Sequence, residues 1–338
     1  MRALPLLALF LLSGCSPLYA VKSASGHLGF VWRARPVNEL LEDPATDPKT
    51  RAKLELVDAA RRFAFEDMGL RKSKDYAKVS RIKGPYVTYM VMAADQASFR
   101  RHEWWFPFIG RVPYKGHFSP KDAKAEAGRL GRKGLDVLVA GISAYNTPLP
   151  FADPLAHTQL ELPEGELVAL VLHELCHGTV FLKGRVDFDE SLASFVGEAG
   201  ALDFLARRFG PEAPESLAFR AGLERDRRYA AEIESLYQEL DRLYRSGLPR
   251  ERVLADRAPI LAKGRERLSA VLGRDSGELN NAVILGHRLY RADQELFGEL
   301  HERLGRSWKV TIEFLRSLDR RRPAEDLRAR LERLRPAP

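Results

Sequence analysis

"VLHELCHGTV", residues 171–180, decides how this chain is read. At its centre are His173, Glu174, Leu175, Cys176 and His177. On a helix, positions i and i+4 share a face, with β-carbons about 5–6 Å apart. Both histidines can therefore reach one zinc ion at a Zn–N distance of about 2.0–2.1 Å. Glu174 stands about 100° further round the helix. It is not aimed with the histidines, but it can take the proton of a water that attacks a carbonyl and pass it to the leaving nitrogen.

The five-residue pattern alone is common, so its surroundings matter. Leu167, Val168, Leu170, Val171, Leu172 and Leu175 make this segment apolar on most sides, which predicts a central helix from about Pro163 to Gly184. Two histidines and a glutamate on such a helix are costly unless they have partners. The bland alternative is a hydrogen-bonded pair of core histidines. A third ligand is available in "FDESLASFVGEAG" (188–200), on a second helix expected from Asp189 to about Phe209 and closed by Gly210. Glu190 and Glu198 are both candidates. Eight residues apart, they differ by about 80° in azimuth and about 12 Å along the axis, so one ion cannot take both. Glu190 shares its face with Ser194, Gly197 and Ala201, small residues that let two helices approach closely. Glu198 lies on the flank, as an outer or surface group. Glu190 beside Asp189 could also simply neutralise a helix N-terminus.

The composition frames this site. The chain has 338 residues, 45% hydrophobic and 30% charged, as a soluble globular protein does. Its net charge is +8. The arginines alternate with acids, as in "DLRARLERLR" (326–335), the pattern of solvated helix faces, and no nucleic-acid motif is present. The first residues, "MRALPLLALFLLSGCSPLYA", give one positive charge and an apolar run too short to span a bilayer. Leu12-Ser13-Gly14-Cys15 resembles a bacterial lipobox, which implies cleavage before Cys15 and lipid on its sulfur and new amino group. An ordinary signal peptide cut after Ala20 is the alternative. Ser16 follows the cysteine, so the implied address is the outer membrane, facing the periplasm. Cys176 is then the one remaining cysteine, and it reads as a buried inert thiol.

Elsewhere, residues 27–37 suit a short strand or helix. Asp47 and Pro48 open a helix over about 49–68. Residues 85–95 and 135–147 read as strands, and the aromatic "WWFPFIGRVPYKGHF" (104–118) as a structured loop. Ser119, Pro120 and Gly134 bracket a helix between them. After Gly210 the pattern is helical, with a long hairpin arm over 223–247 and another long helix over 278–305.

Taken together, "HELCH" and "FDESLASFVGEAGA" resemble the glutamate-ligand zincins, the thermolysin-like superfamily. More closely, the chain resembles a bacterial family of predicted zinc aminopeptidases. Its members carry a lipobox, a "WxFPxxGxxPYxGxF" segment, a "GLDVxxxxxxAYxT" strand, HExxH and "FNESxAxFVxxxG". The likeness covers most of 15–210 and continues through "NNA" (280–282). Asp189 stands where the family has asparagine, "PLPFADP" (148–154) replaces a loop richer in glycine and tryptophan, and Trp105 and Arg111 occupy positions where cysteines are common.

The resemblance implies an α+β fold: a zincin-like metallopeptidase core over 15–210, after a lipoprotein signal peptide at 1–14, and a mostly helical C-terminal region over 211–338. It implies Zn²⁺ held by His173, His177 and Glu190, with Glu174 as base, a peptide as substrate and the membrane as partner through the N-terminal lipid. The strand over 137–145 is implied to run along the substrate, giving affinity through its backbone. A donor for the developing oxyanion is needed. Tyr145 leads, with Tyr114, His117, His287 and Tyr290 as alternatives. No "GxMEN" segment marks an amine anchor. The rival reading is a catalytically idle lipoprotein with a structural zinc that binds a partner through its helical arms; Glu174 favours the enzyme, since a structural metal needs no base beside it.

Overall fold

The computed structural model describes residues 17–106, 110–143, 152–291 and 294–334. In chain order the elements are α1 (Pro17–Trp32), β1 (Arg35–Pro36), α2 (Val37–Glu42), α3 (Pro48–Glu66), β2 (Lys78–Ser80), β3 (Thr88–Asp95), β4 (Trp104–Phe106), β5 (Gly110–Val112), β6 (Tyr114–His117), α4 (Pro120–Gly131), β7 (Leu135–Ile142) and β8 (Leu155–Ala156). A 3-10 turn (His157–Glu161) leads into α5 (Glu164–His177) and α6 (Val186–Arg208). Then come α7 (Pro214–Tyr244), α8 (Arg250–Leu272), α9 (Asn281–Leu289), α10 (Gln294–Arg303), α11 (Trp308–Arg316) and α12 (Pro323–Arg333). The fold is α+β, and after α6 the described chain is helical. None of the described helices is long and apolar enough to cross a membrane.

Contacts divide the chain into two compact units, each assembled from separate stretches of sequence. One comprises 1–26, 88–142 and 222–290. Its centre is the antiparallel sheet β6-β3-β7. Strand β3 is apolar along its length because both of its faces are covered. Val91 and Ala93 pack with Ala123 and Leu130 of α4 on one side. Ala94 packs with Ala282 and Leu285 of α9 on the other. Gly286 lets α9 press down, since a β-carbon there would stand 2.8 Å from Leu138 and 3.4 Å from Met92. Beside the sheet, α7 and α8 form the expected hairpin arm around Ile233, Leu236, Leu240 and Leu268. Buried Asp136 joins arm to sheet, accepting from Arg257 at 2.5 Å and from the Asn281 amide at 2.9 Å.

The aromatic segment at 104–118 departs from expectation. It is not a loop: β4 and β5 pair as a hairpin and β6 joins the edge of β3. Its prolines and glycines masked the strands, and Pro113 sits outside the paired residues.

The other unit comprises 27–87, 143–221 and 291–338. Here α5 is the central rod. Leu167, Val168, Val171 and Leu172 are fully buried, as are Leu54, Val57, Ala60 and Ala64 of α3, which packs on it. Helix α6 covers another side of α5, and α10 packs on α6. Asp47 caps α3 by accepting from the Thr50 amide at 2.9 Å. Residues 278–305, read from sequence as one helix, form two, α9 and α10. Helix α9 closes at Leu289, with the Tyr290 amide turned back to the Arg288 carbonyl.

Candidate active site

Helices α5 and α6 form an antiparallel pair joined by residues 178–185. Helix α5 ends at His177, not near Gly184 as its sequence suggested. The amides of Thr179 and Val180 both donate to the Cys176 carbonyl at 2.8 Å, which tightens the last turn and starts the reversal. Gly184, at φ +77°, takes a backbone conformation that other residues resist. Helix α6 starts at Val186, three residues before the expected start at Asp189. The Asp189 carboxylate reaches back and accepts from the Leu182 amide at 3.0 and 3.1 Å. This buried tie fixes the connection one residue away from Glu190. Burial raises the Asp189 carboxyl to about 7, against the opposing pull of the Leu182 amide and His177.

His173, His177 and Glu190 converge. The two Nε2 atoms lie 3.2 Å apart. Glu190 Oε2 lies 3.5 Å from His173 Nε2 and 3.6 Å from His177 Nε2. Donors at about 2.0–2.1 Å from one ion in tetrahedral array would be separated by roughly 3.3–3.4 Å. The triangle therefore has the size and donor chemistry of a zinc site, two imidazoles and one carboxylate.

The electrostatics agree. Burial penalises a charged Glu190, but hydrogen bonds from His173 and His177 outweigh that and hold its carboxyl far below the usual range. Burial opposes charge on His177 too, yet Glu190, with Glu174 and Asp189 behind it, raises it to about 9. Three carboxylates thus stabilise a positive charge at this point, and a divalent ion would take that place by displacing the proton.

Glu174 is only 7% exposed. Its carboxyl is pushed upward, mainly by burial and further by Glu190 and Asp75, while the two histidines pull the other way. A raised carboxyl at the edge of a metal triad has the character of a proton carrier. Asp75, whose role sequence did not suggest, enters through the backbone: its Oδ1 accepts from the Asp153 amide at 3.0 Å, and the neighbouring Tyr76 is held at φ +59°. A buried tyrosine in that region is strained.

A cavity of about 250 Å³ opens beside the triad, lined by Ala169, Leu170, His173, Glu174, Ser194, Gly197 and Glu198. Glu198 lines this cavity and lies outside the triad. Arg291 holds it, with Nη1 at 3.3 Å from Oε1 and 3.5 Å from Oε2. Sequence reasoning passed over Arg291. Its signal was slight: it follows the last residues of α9, where a helix end leaves a long side chain free to fold back.

Tyr145, Cys15 and the segment 1–14 lie outside the described residues. Tyr114, His117, His287 and Tyr290 belong to the sheet-containing unit. His117 is buried edge-on to the Tyr19 ring at 5.5 Å, and His287 lies 4.9 Å from the Tyr229 ring. Strand β7, the expected substrate strand, pairs with β3 along one edge and has no partner strand on the other among the described residues. Cys176 is buried, and that burial pushes its thiol far upward, as expected for an inert group.

A family model described as "Putative aminopeptidase" matches residues 18–331. No curated protein and no solved structure matches the chain.

Proposed function

Since the chain belongs to this aminopeptidase family, we propose that it is a zinc-dependent peptidase with a zincin-like core, anchored by lipid on Cys15 to the outer membrane and facing the periplasm. The observation that carries the metal and the reaction is the convergence of His173, His177 and Glu190 with buried Glu174 at their side. The histidines and Glu190 hold the ion, which when bound supplies Lewis-acid activation of water and of the substrate carbonyl. Glu174 takes the proton released as that water attacks, and delivers it to the leaving nitrogen. Its burial favours the neutral acid halfway through, so accepting the proton is easier here than in water. Asp189 keeps Glu190 in position through its tie to Leu182. Tyr145 is the proposed oxyanion donor.

The test is Glu174→Gln. The variant should bind one zinc per chain and lose peptide hydrolysis by orders of magnitude, because the side chain carries protons and does not ligate. Wild-type turnover in that variant would sink the mechanism.

A further inference from the structure

Helix α1 carries large side chains on two opposite sides, and one of them is covered. Tyr19, His27 and Phe30 turn inward. The Tyr19 hydroxyl donates to the Gly116 carbonyl at 2.8 Å, and the Phe30 carbonyl accepts from the Ser80 hydroxyl at 2.7 Å. His27 and Phe30 are buried. These contacts fix the rotation of the helix about its axis. Val21, Leu28 and Trp32 then point the other way: at offsets of seven and eleven residues they fall within a span of about 40°. Trp32 is 85% exposed, Val21 66% and Leu28 41%. Single apolar side chains on a surface need no explanation, but a row of them does. Among the described residues, no other helix or strand has more than one exposed large apolar side chain.

Charge and position point to what covers the row. Residues 17–33 contain no aspartate or glutamate. Lys22 is exposed and pairs with Asp122 of α4 at 2.9 Å. Arg33 is exposed and folds back along the helix, since a β-carbon on Gly29 would stand 3.2 Å from its Nη1. Gly29 lies about 80° round from Val21, so this guanidinium flanks the row. An apolar stripe edged by a cation suits the boundary between acyl chains and anionic headgroups. Tryptophan favours that boundary, with an apolar ring and one N–H donor. The row is about 16 Å long at 1.5 Å per residue. Cys15 precedes the first residue of α1 by two positions, at most about 7 Å of chain. A lipid on that cysteine therefore brings the start of the helix to the membrane surface.

We infer that α1 lies flat on the bilayer, with Val21, Leu28 and Trp32 sunk among the upper acyl chains. This rests on the lipid anchor at Cys15 proposed above and goes beyond it: the lipid tethers the chain, and the row fixes which face of α1 meets the membrane. Three side chains do not replace the anchor. They act on a surface that the lipid already holds near.

The experiment uses the full chain as purified from membranes, reconstituted into vesicles of equal parts phosphatidylethanolamine and phosphatidylglycerol, with or without bromine on the acyl chains. Bromine quenches a tryptophan that reaches the hydrocarbon. The share of emission due to Trp32 is the difference between wild type and Trp32→Phe, a change at an exposed side chain that should leave the melting temperature unchanged. Brominated lipid should remove most of that share. A second probe is a polarity-sensitive dye on Leu28→Cys, with which buried Cys176 does not compete. Its emission should shift to the blue in vesicles. An unquenched Trp32, or a dye that stays in water, overturns the inference. So does an unquenched Trp32 with a dimer in light scattering that Trp32→Glu dissociates, which would assign this face to a second copy of the chain. The two readings fail separately, because mass spectrometry of the same sample reports the lipid. Lipid on Cys15 with Trp32 unquenched sinks the membrane-lying helix and keeps the anchor. A chain without lipid whose Trp32 is quenched on the vesicles does the reverse.

Discussion

Gly197 brings α6 so close to α5 that a β-carbon built on it would stand 2.6 Å from the Ala169 carbonyl oxygen. The same β-carbon would lie 3.4 Å from the backbone nitrogen of His173. A backbone oxygen cannot move aside as a side chain can, so the two helices must part if anything larger occupies this position. One turn on, a β-carbon on Gly200 would meet side chains instead, Met68 at 2.8 Å and Leu172 at 2.9 Å. This close approach is what brings a carboxylate on one helix to two imidazoles on the other.

Gly197→Ala should therefore damage stability and metal site together. Overpacking of this kind costs about 1–3 kcal/mol. Parting the helices moves Glu190 away from the histidines, so zinc affinity should fall as well. Thermal unfolding and metal titration on the same sample check this. A variant with wild-type melting and wild-type zinc affinity would show that the helices do not depend on the glycine.

Glu190 and Glu198 lie on one helix but should behave in opposite ways. Glu190→Ala removes a donor that sits 3.5 and 3.6 Å from the two imidazole nitrogens. Its loss of zinc affinity should exceed the roughly 10–100-fold that follows loss of an outer partner. Glu198→Ala should keep one zinc per chain. Stoichiometric zinc in Glu190→Ala with metal loss in Glu198→Ala would reverse the assignment.

Glu126 should make the sheet-containing unit sensitive to acid. Burial works against its ionisation, but hydrogen bonds from Arg129 and Trp104 and the charge of Lys115 outweigh that and lower it from 4.5 to about 2. A carboxyl with a depressed folded-state value binds its proton more readily when unfolded. Its stabilisation is present above pH 4.5 and is lost as the pH falls toward 2. The shift corresponds to at most about 3 kcal/mol. Denaturant melts of wild type and Glu126→Gln should differ most near neutral pH and converge toward pH 2. A difference that stays constant across that range would assign the effect to packing.

Cys15→Ser should abolish lipid attachment and release the protein from membranes. Mutant protein that remains in the membrane fraction after a high-salt wash would point to another anchor.

Most of the triad was legible in the sequence, and the reason is locality. His173 and His177 are one helical turn apart, so helical geometry alone puts them on one face. Glu190 follows after a connection too short to go anywhere but back, and its small-residue face with Gly197 announced a close helix pair. The caps at Asp47 and Ser119 were legible for the same reason: each side chain accepts from an amide three residues on, at Thr50 and Asp122.

Tertiary structure alone decided the rest, through contacts between residues distant in sequence. Strand β3 has Met92 opposite Tyr114 on one side and Leu138 on the other, and the hydrogen bonds of those pairings give the aromatic segment the strands that its prolines obscured. Asp189, in the first turn of α6, turns its carboxylate to the amide of Leu182, seven positions back. Arg291 reached Glu198 across 93 positions of chain, a meeting no sequence period encodes. Sequence fixes what a residue can do with neighbours one turn away. Which carboxylate meets a metal ligand and which meets an arginine depends on how whole helices pack, and that is set by the shapes of all the buried side chains at once.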